Sequence, residues 1–333
     1  MRTPRYDVTA IGNAIVDVLA QADDALLEQH HLAKGAMSLI DAADADRLYG
    51  IMGPGLEVSG GSAANTAAGI AALGGRVAYI GKVAADQLGQ VFSHDIRATG
   101  VTYNTTPLVQ GVSTARCLIF VTPDAQRTMQ TFLGATTQLG PEDLDMDGIT
   151  SSKVVYLEGY LWDQPRAKTA MRDAAITAHK AGVKVALTLS DAFCVARFRD
   201  EFLELVEHHV DILFANEHEI LSLYQTEQFD EVVPRVRAHC EIAALTRSEK
   251  GSVVVTGNEV HVIPAEPGVR VVDTTGAGDA YAAGFLYAFT QGRDLWTCGR
   301  LGGVMAAEII SHYGARPEAD VKALAAAVLA AGR

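Results

Sequence analysis

From about residue 153 onward, short β-branched apolar runs alternate with stretches of helical periodicity, each pair joined by a few turn residues. This is the rhythm of a parallel sheet with crossover helices. Val154-Val155-Tyr156-Leu157 predicts a strand, 165–181 a helix closed by Gly182, and 183–189 the next strand. Segments 211–215 and 242–245 repeat the pattern. Within 253–263, two β-rich runs flank Thr256-Gly257-Asn258-Glu259, which suits a tight hairpin and puts antiparallel strands at one sheet edge. In the N-terminal half, 6–11 predicts a first core strand. Segments 36–40, 114–121 and 127–132 predict strands without intervening helices, forming a small β lid inserted into the sheet domain. The alanine-rich end (Ala323, Ala325, Ala326, Ala327, Ala330, Ala331) predicts a packing helix.

Composition narrows the function classes. With 333 residues, 49% hydrophobic and 20% charged, the chain can bury a large core, which excludes intrinsic disorder. A net charge of −13 repels nucleic-acid phosphates and anionic lipid, and no Lys/Arg cluster offers a local exception. A small molecule or soluble partner is favoured, with neither nucleic acid nor membrane. Cys117, Cys194, Cys240 and Cys298 lack the paired spacing of a zinc or redox site and read as reduced, mostly buried thiols of a cytoplasmic protein. The start, Met1-Arg2-Thr3-Pro4-Arg5-Tyr6-Asp7, precedes an apolar stretch closed by Asp17, unlike a secretory signal.

The strongest local signal is Val271-Val272-Asp273-Thr274-Thr275-Gly276-Ala277-Gly278-Asp279, followed by a largely apolar helical run. A strand is expected to enter the glycine turn and a buried helix to leave it. A helix start presents unpaired N–H groups and a positive dipole end, and glycines let an anion reach the main chain, so a phosphate fits there. Asp279, in the first turn, can orient a hydroxyl and accept its proton. Alternatively, Asp279 complements the helix dipole while Asp273 or Thr274 caps the helix. Tyr281 breaks the dinucleotide Gly-x-Gly-x-x-Gly pattern, and no Gly-x-x-x-x-Gly-Lys-Ser/Thr occurs.

A second segment runs Gly60-Gly61-Ser62-Ala63-Ala64-Asn65-Thr66-Ala67-Ala68-Gly69 and closes at Gly74-Gly75. Its small residues admit either a ligand or a neighbouring helix at close range. Asn65 needs hydrogen-bond partners if buried, and a polyhydroxylated ligand would supply them.

Together these segments resemble the paired signatures of the ribokinase-like, or phosphofructokinase B, family of carbohydrate and nucleoside kinases, over nearly the whole chain. The resemblance implies a single domain over residues 1–333. That domain would be an α/β, three-layer α/β/α sandwich with a mostly parallel central sheet and a discontinuous β lid from about 13–58 and 100–133. It implies in-line transfer of the ATP γ-phosphate to a primary hydroxyl, with Asp279 as base and the amides of Gly276, Ala277 and Gly278 as anion hole. Asn216-Glu217-His218-Glu219 matches the family's Asn-x-x-Glu element, so Asn216 and Glu219 are expected to bear on Mg²⁺, usually through water. The same residues suit a helix N-cap and capping box. A zinc helix fails because Ser222 stands where a second histidine is required.

By the same resemblance, Asn13 and Asp17 in Gly12-Asn13-Ala14-Ile15-Val16-Asp17 meet substrate hydroxyls, with Gly60, Gly61 and Asn65 beside them. Arg127 reaches the substrate or phosphates when the lid closes; a solvated hairpin arginine is the alternative. Thr246, Lys250 and Gly251 lie beside the ATP base and ribose, though Lys250 alone also suits a surface. Asp273 and Thr275 are expected to hold a monovalent cation such as K⁺. Leu187-Thr188-Leu189-Ser190-Asp191-Ala192-Phe193 and the Gly-Asn opening look closest to adenosine-kinase-like members, and Phe132, Tyr160 and Trp162 offer stacking surfaces for a purine or simple core packing. The expected acceptor is adenosine, with ribose, fructose or another ketose as the enzyme alternative. An inactive sugar- or nucleotide-binding regulator is the alternative of another class. An exposed lid face would support a homodimer.

Overall fold

The computed structural model describes residues 3–124 and 126–331; Met1 and Arg2 of the N-terminal segment considered above lie outside them. Its strands are β1 Tyr6–Ile11, β2 Ile15–Gln21, β3 Met37–Leu39, β4 Gly55–Gly60, β5 Val77–Ile80, β6 Thr102–Tyr103, β7 Ala115–Val121, β8 Arg127–Phe132, β9 Ser152–Glu158, β10 Lys184–Thr188, β11 Ile212–Asn216, β12 Ile242–Thr246, β13 Ser252–Thr256 and β14 Val260–Ile263.

Strand β1 is buried at every position and pairs in parallel with β9 on one side and β5 on the other. A strand covered on both faces has no water-facing side, so the polar residues that alternate with Tyr6, Val8 and Ala10 must find partners inside the protein. Its two polar residues are partnered: Asp7 with Lys153 at 2.7 Å, and the Thr9 hydroxyl with that of Ser152 at 2.7 Å. Around β1 the large sheet runs β14-β13-β12-β11-β10-β9-β1-β5-β6, parallel except for the β12-β13-β14 meander at one edge. Val8 and Ala10 face a core shared with residues of the helices Ser62–Leu73, Ala277–Thr290 and Leu295–Ile309. Ile11, Val155 and Leu157 face a second core built with residues of Pro165–Lys180, Arg199–His209 and Glu217–Tyr224. The result is the expected three-layer α/β/α sandwich.

A smaller sheet has the order β3-β8-β7-β2-β4. The expectation of strands there without helices is overturned, because Asp24–Gln29 and Ala42–Ile51 are helices. Each is started by an aspartate whose side chain accepts a first-turn amide, Asp23 from Leu26 and Asp41 from Asp44. Strand β6 pairs with β5 in the large sheet, so part of 100–133 belongs outside the smaller sheet, and β4 runs past the expected limit to Gly60. No strand forms at 271–273; that segment is a loop whose Val272 amide donates to Ile310 O. The 253–263 hairpin and the 165–181 helix are as expected, the latter ending in Gly182 at φ +73°, a left-handed position glycine adopts without strain. All four cysteines are buried and unbridged. Among the described residues no helix is long and apolar enough to cross a membrane.

Candidate active site

Parallel sheets offer ligands the carboxyl ends of their strands, and the polar residues converge there. Beyond β1, Gly12 leads to Asn13, whose amide side chain donates to Glu158 Oε1 at 2.6 Å, at the end of neighbouring β9. Glu158 also accepts from the Ala63 backbone at 2.8 Å, in the first turn of the Ser62–Leu73 helix. One buried carboxylate thus joins the exit of β1 to the start of that helix. Gly12 makes this room, since a Cβ there would lie 2.3 Å from Glu158 Oε2.

The next strand, β2, carries Asp17 on the smaller sheet. Its neighbour across the antiparallel β2–β4 ladder is the strand that ends in Gly60, and a Cβ on Gly60 would fall 2.3 Å from Asp17 Oδ2. Gly61 follows at φ +99°, its would-be Cβ 2.1 Å from Asn13 O, and starts the Ser62 helix. That helix aims two side chains at Asp279: Ser62 Oγ donates to Oδ1 at 2.6 Å and Asn65 Nδ2 to Oδ2 at 3.0 Å. Asn65 thus has its partner within the protein.

Gly276, at φ +78°, is the N-cap of the Ala277–Thr290 helix and supplies no side chain. The alternative in which Asp273 or Thr274 caps the helix is therefore replaced: Asp273 bonds Thr275 and Gly314 instead. The Ala277 amide donates to Thr274 O at 3.2 Å, whereas those of Gly276, Gly278 and Asp279 have no acceptor among the described residues. A Cβ on Gly278 would meet no heavy atom within 4 Å. The protein itself does not require glycine there.

Burial dominates the electrostatics. It raises the pKa of Asp279, against the hydrogen bonds from Ser62 and Asn65 and the charge of Arg316. Burial pushes Asp17 up to about 6, against the pull of Arg316 and Arg127, with Asp279 adding repulsion. Burial likewise lifts Glu158 to about 7 despite its bonds from Ala63 and Asn13. Arg316 donates to Ser59 O at 2.7 Å and Ala64 O at 3.0 Å, straddling Gly60-Gly61. Arg127 is no solvated hairpin arginine: it pairs with Asp273 at 2.9 Å with both side chains buried.

Within electrostatic reach of Asp279, Asn216 caps the Glu217–Tyr224 helix and forms a reciprocal capping box with Glu219. Both Glu219 oxygens accept from Asn216, at 2.6 and 2.9 Å. Burial raises Glu219 to about 7, and Asp191 and Asp279 add negative charge around it. A divalent cation would relieve that excess, and reaching it through water leaves the capping box whole. Among the described residues no group of acidic, histidine or cysteine side chains forms a metal cage, so most ligands of such an ion would be water and phosphate. Thr246 ends β12, Gly251 turns at φ +83° into β13, and exposed Lys250 pairs with Glu217 at 3.5 Å. Among the described residues none of these three hydrogen-bonds to Asp279, whose side-chain partners are Ser62 and Asn65. Trp162 is fully buried in the second core with its indole N–H on Glu201, which excludes it as a stacking surface; Phe132 is buried and Tyr160 half exposed.

A profile of the pfkB family of carbohydrate kinases matches residues 55–322. The chain belongs to this family. It is 28% identical over 330 residues to the adenosine kinase of Saccharomyces cerevisiae, covering 92% of this chain and 95% of that protein. An uncharacterized sugar kinase of Archaeoglobus fulgidus is 29% identical over 251 residues, 74% of this chain and 96% of that one. Among solved structures, the adenosine kinase of Sinorhizobium meliloti superposes with a TM-score of 0.89 at 54% identity, covering 97% of this chain and 99% of that one. A probable sugar kinase of Rhizobium etli gives 0.90 at 52%, covering 98% and 99%. This pfkB protein is accordingly a carbohydrate or nucleoside kinase, for which ATP is the phosphate donor, typically with Mg²⁺.

Glu158 and Arg316 are two polar residues of this region that the sequence expectations above do not include. A carboxylate at the end of a parallel strand, followed by Gly159, was a usable signal for Glu158. Arg316 had none, because its partners Ser59 and Ala64 lie 257 and 252 residues away.

Proposed function

We propose that the protein transfers the γ-phosphate of ATP to the primary hydroxyl of adenosine, with Asp279 as the base. The observation that carries this reading is a carboxylate gripped by Ser62 and Asn65 at a helix start whose Gly276, Gly278 and Asp279 amides have no acceptor among the described residues. Those amides receive negative charge on the transferring phosphoryl group as the hydroxyl oxygen bonds to phosphorus and the bond to the ADP oxygen breaks. The hydroxyl proton passes to Asp279, whose raised pKa makes it a better acceptor than an ordinary carboxylate. Asp17 and Asn13 take the sugar hydroxyls, with Gly60 and Gly61 giving the space. Thr246, Lys250 and Gly251 flank the nucleotide. Asn216 and Glu219 would hold Mg²⁺ through water, and the ion would supply positive charge to neutralise the ATP phosphates.

Adenosine is favoured by the adenosine kinases among the similar proteins, at 54% identity in one solved structure. The probable sugar kinase at 52% keeps a free sugar as the second reading. ADP release with ATP and Mg²⁺ across adenosine, other nucleosides, ribose and fructose separates the two. Selective turnover of adenosine with AMP as product is expected; turnover of a free sugar alone overturns the acceptor, and silence across the panel favours a binding regulator.

A further inference from the structure

The family resemblance calls for a monovalent metal ion at Asp273 and Thr275, beside the start of the Ala277 helix. The residues present do not fit one. Asp273 Oδ1 accepts from the Thr275 amide at 3.1 Å and the Thr275 hydroxyl at 2.8 Å, and Oδ2 from the Gly314 amide at 3.0 Å. The remaining contact of Oδ2 is Arg127 Nη2 at 2.9 Å, with the two side chains only 9% and 8% exposed. Arg127 Nη1 lies 3.5 Å from the Thr275 hydroxyl oxygen, and its guanidinium rests over the Tyr313 ring at 5.6 Å. The carboxylate is therefore fully hydrogen-bonded and already neutralised. A metal ion at the same oxygens would have to displace the guanidinium or lie against it in a buried, like-charged pair.

We infer that the guanidinium of Arg127 is the resident cation of the Asp273–Thr275 site, so that this kinase needs no monovalent metal ion. Arg127 is the first residue of β8, so the cation is supplied by the smaller sheet to the loop that sets up the anion-binding helix start. It thus acts as a positioning residue, holding Asp273, and through it the turn at Thr275-Gly276. Lysine at 127 would bring the same charge without the planar fork, whereas methionine would leave the Asp273 carboxylate without its counter-charge and create room for K⁺.

The kinetic part of this inference rests on the kinase reading above; the binding part does not. The ligand-free protein and its Arg127→Lys and Arg127→Met variants are melted in K⁺ and in tetramethylammonium at equal ionic strength, the second ion being too large to enter the site. The melting temperatures of the wild type and Arg127→Lys are expected to be the same in both salts, and that of Arg127→Met to rise in K⁺. ADP release by the wild type is expected to agree within about twofold between the salts, for kcat and KM alike. A wild type stabilised by K⁺, or one losing activity about tenfold or more in tetramethylammonium, would overturn the inference. Should Arg127→Met not fold, the wild type and Arg127→Lys decide it. Should no acceptor be phosphorylated in either salt, the kinase reading fails and the melting comparison still decides the cation.

Discussion

Replacing Gly278 by alanine separates what the fold needs from what the reaction needs. The residue has ordinary helical backbone geometry, and the added Cβ would meet no heavy atom within 4 Å. Alanine is favoured over glycine in a helix by about 0.5–1 kcal/mol, so the folded protein should be unchanged or slightly more stable. The ligand reading predicts the opposite sign for activity. If a phosphoryl oxygen lies against this amide, the methyl group holds it off, and losing one such donor costs about 100–1,000-fold in kcat, or about 2.7–4 kcal/mol. Urea unfolding and steady-state ADP release on the same preparation read both quantities. Gly276→Ala is the contrasting control: at φ +78°, with its would-be Cβ 2.5 Å from that of Ala315, it should lose stability as well as activity. A Gly278→Ala protein turning over within about threefold of the wild type would refute the anion-site argument. A stability loss of more than about 1 kcal/mol would show that glycine is structural there.

Gly60→Ala should leave the fold standing, because the colliding group is the end of the Asp17 side chain, but displace that carboxylate and raise the acceptor KM by about tenfold or more; an unchanged KM would remove Asp17 from the acceptor site. The ligand-free protein should lose stability as pH rises between about 4.5 and 7. Glu158 and Glu219, lifted from 4.5 to about 7, and Asp17, lifted from 3.8 to about 6, bind protons more tightly folded than unfolded. Carboxylates with lowered pKa, such as Asp7, Asp86 and Glu217, add their stability as pH rises through the acid range up to their ordinary values of 3.8 and 4.5, so the two windows barely overlap. Urea midpoints across that range check the slope, and Glu158→Gln should flatten it; a midpoint that rises toward pH 7 would contradict the assignment.

The large sheet was legible because its strands are buried on both faces and several write their positions as unbroken apolar runs, as Val154-Val155-Tyr156-Leu157 does in β9. Strand β2 was less so. Its Ile-Val-Asp-Val-Leu-Ala-Gln buries Val16, Val18 and Ala20, an alternation that marks a half-covered strand, but it follows β1 after only three residues, Gly12-Asn13-Ala14, so the boundary between the two strands is faint. The helices Asp24–Gln29 and Ala42–Ile51 carried their aspartate caps in plain sight at 23 and 41 and were obscured by the β-rich runs around them. In the site, the glycine turn and Asp279 were local and readable. Glu158 shows locally only as a carboxylate ending a strand, while its partners lie 95 and 145 residues away and those of Arg316 252 and 257 away, which no local pattern encodes. Arg127 and Asp273 are each conspicuous in the sequence, but no local pattern pairs them; only the packing of the smaller sheet against the 273–275 turn brings the two together.

The central claim is that Asp279 moves the proton in phosphoryl transfer, and Asp279→Asn tests it most directly, since the amide still bonds Ser62 or Asn65 but has lost the base. Calorimetric titration with the acceptor and with an ATP analogue, alongside ADP release, should show binding within a few-fold of the wild type and turnover reduced about 100–10,000-fold. Turnover near the wild-type rate in that variant would contradict the assignment of the base and, with it, the mechanism proposed for this site.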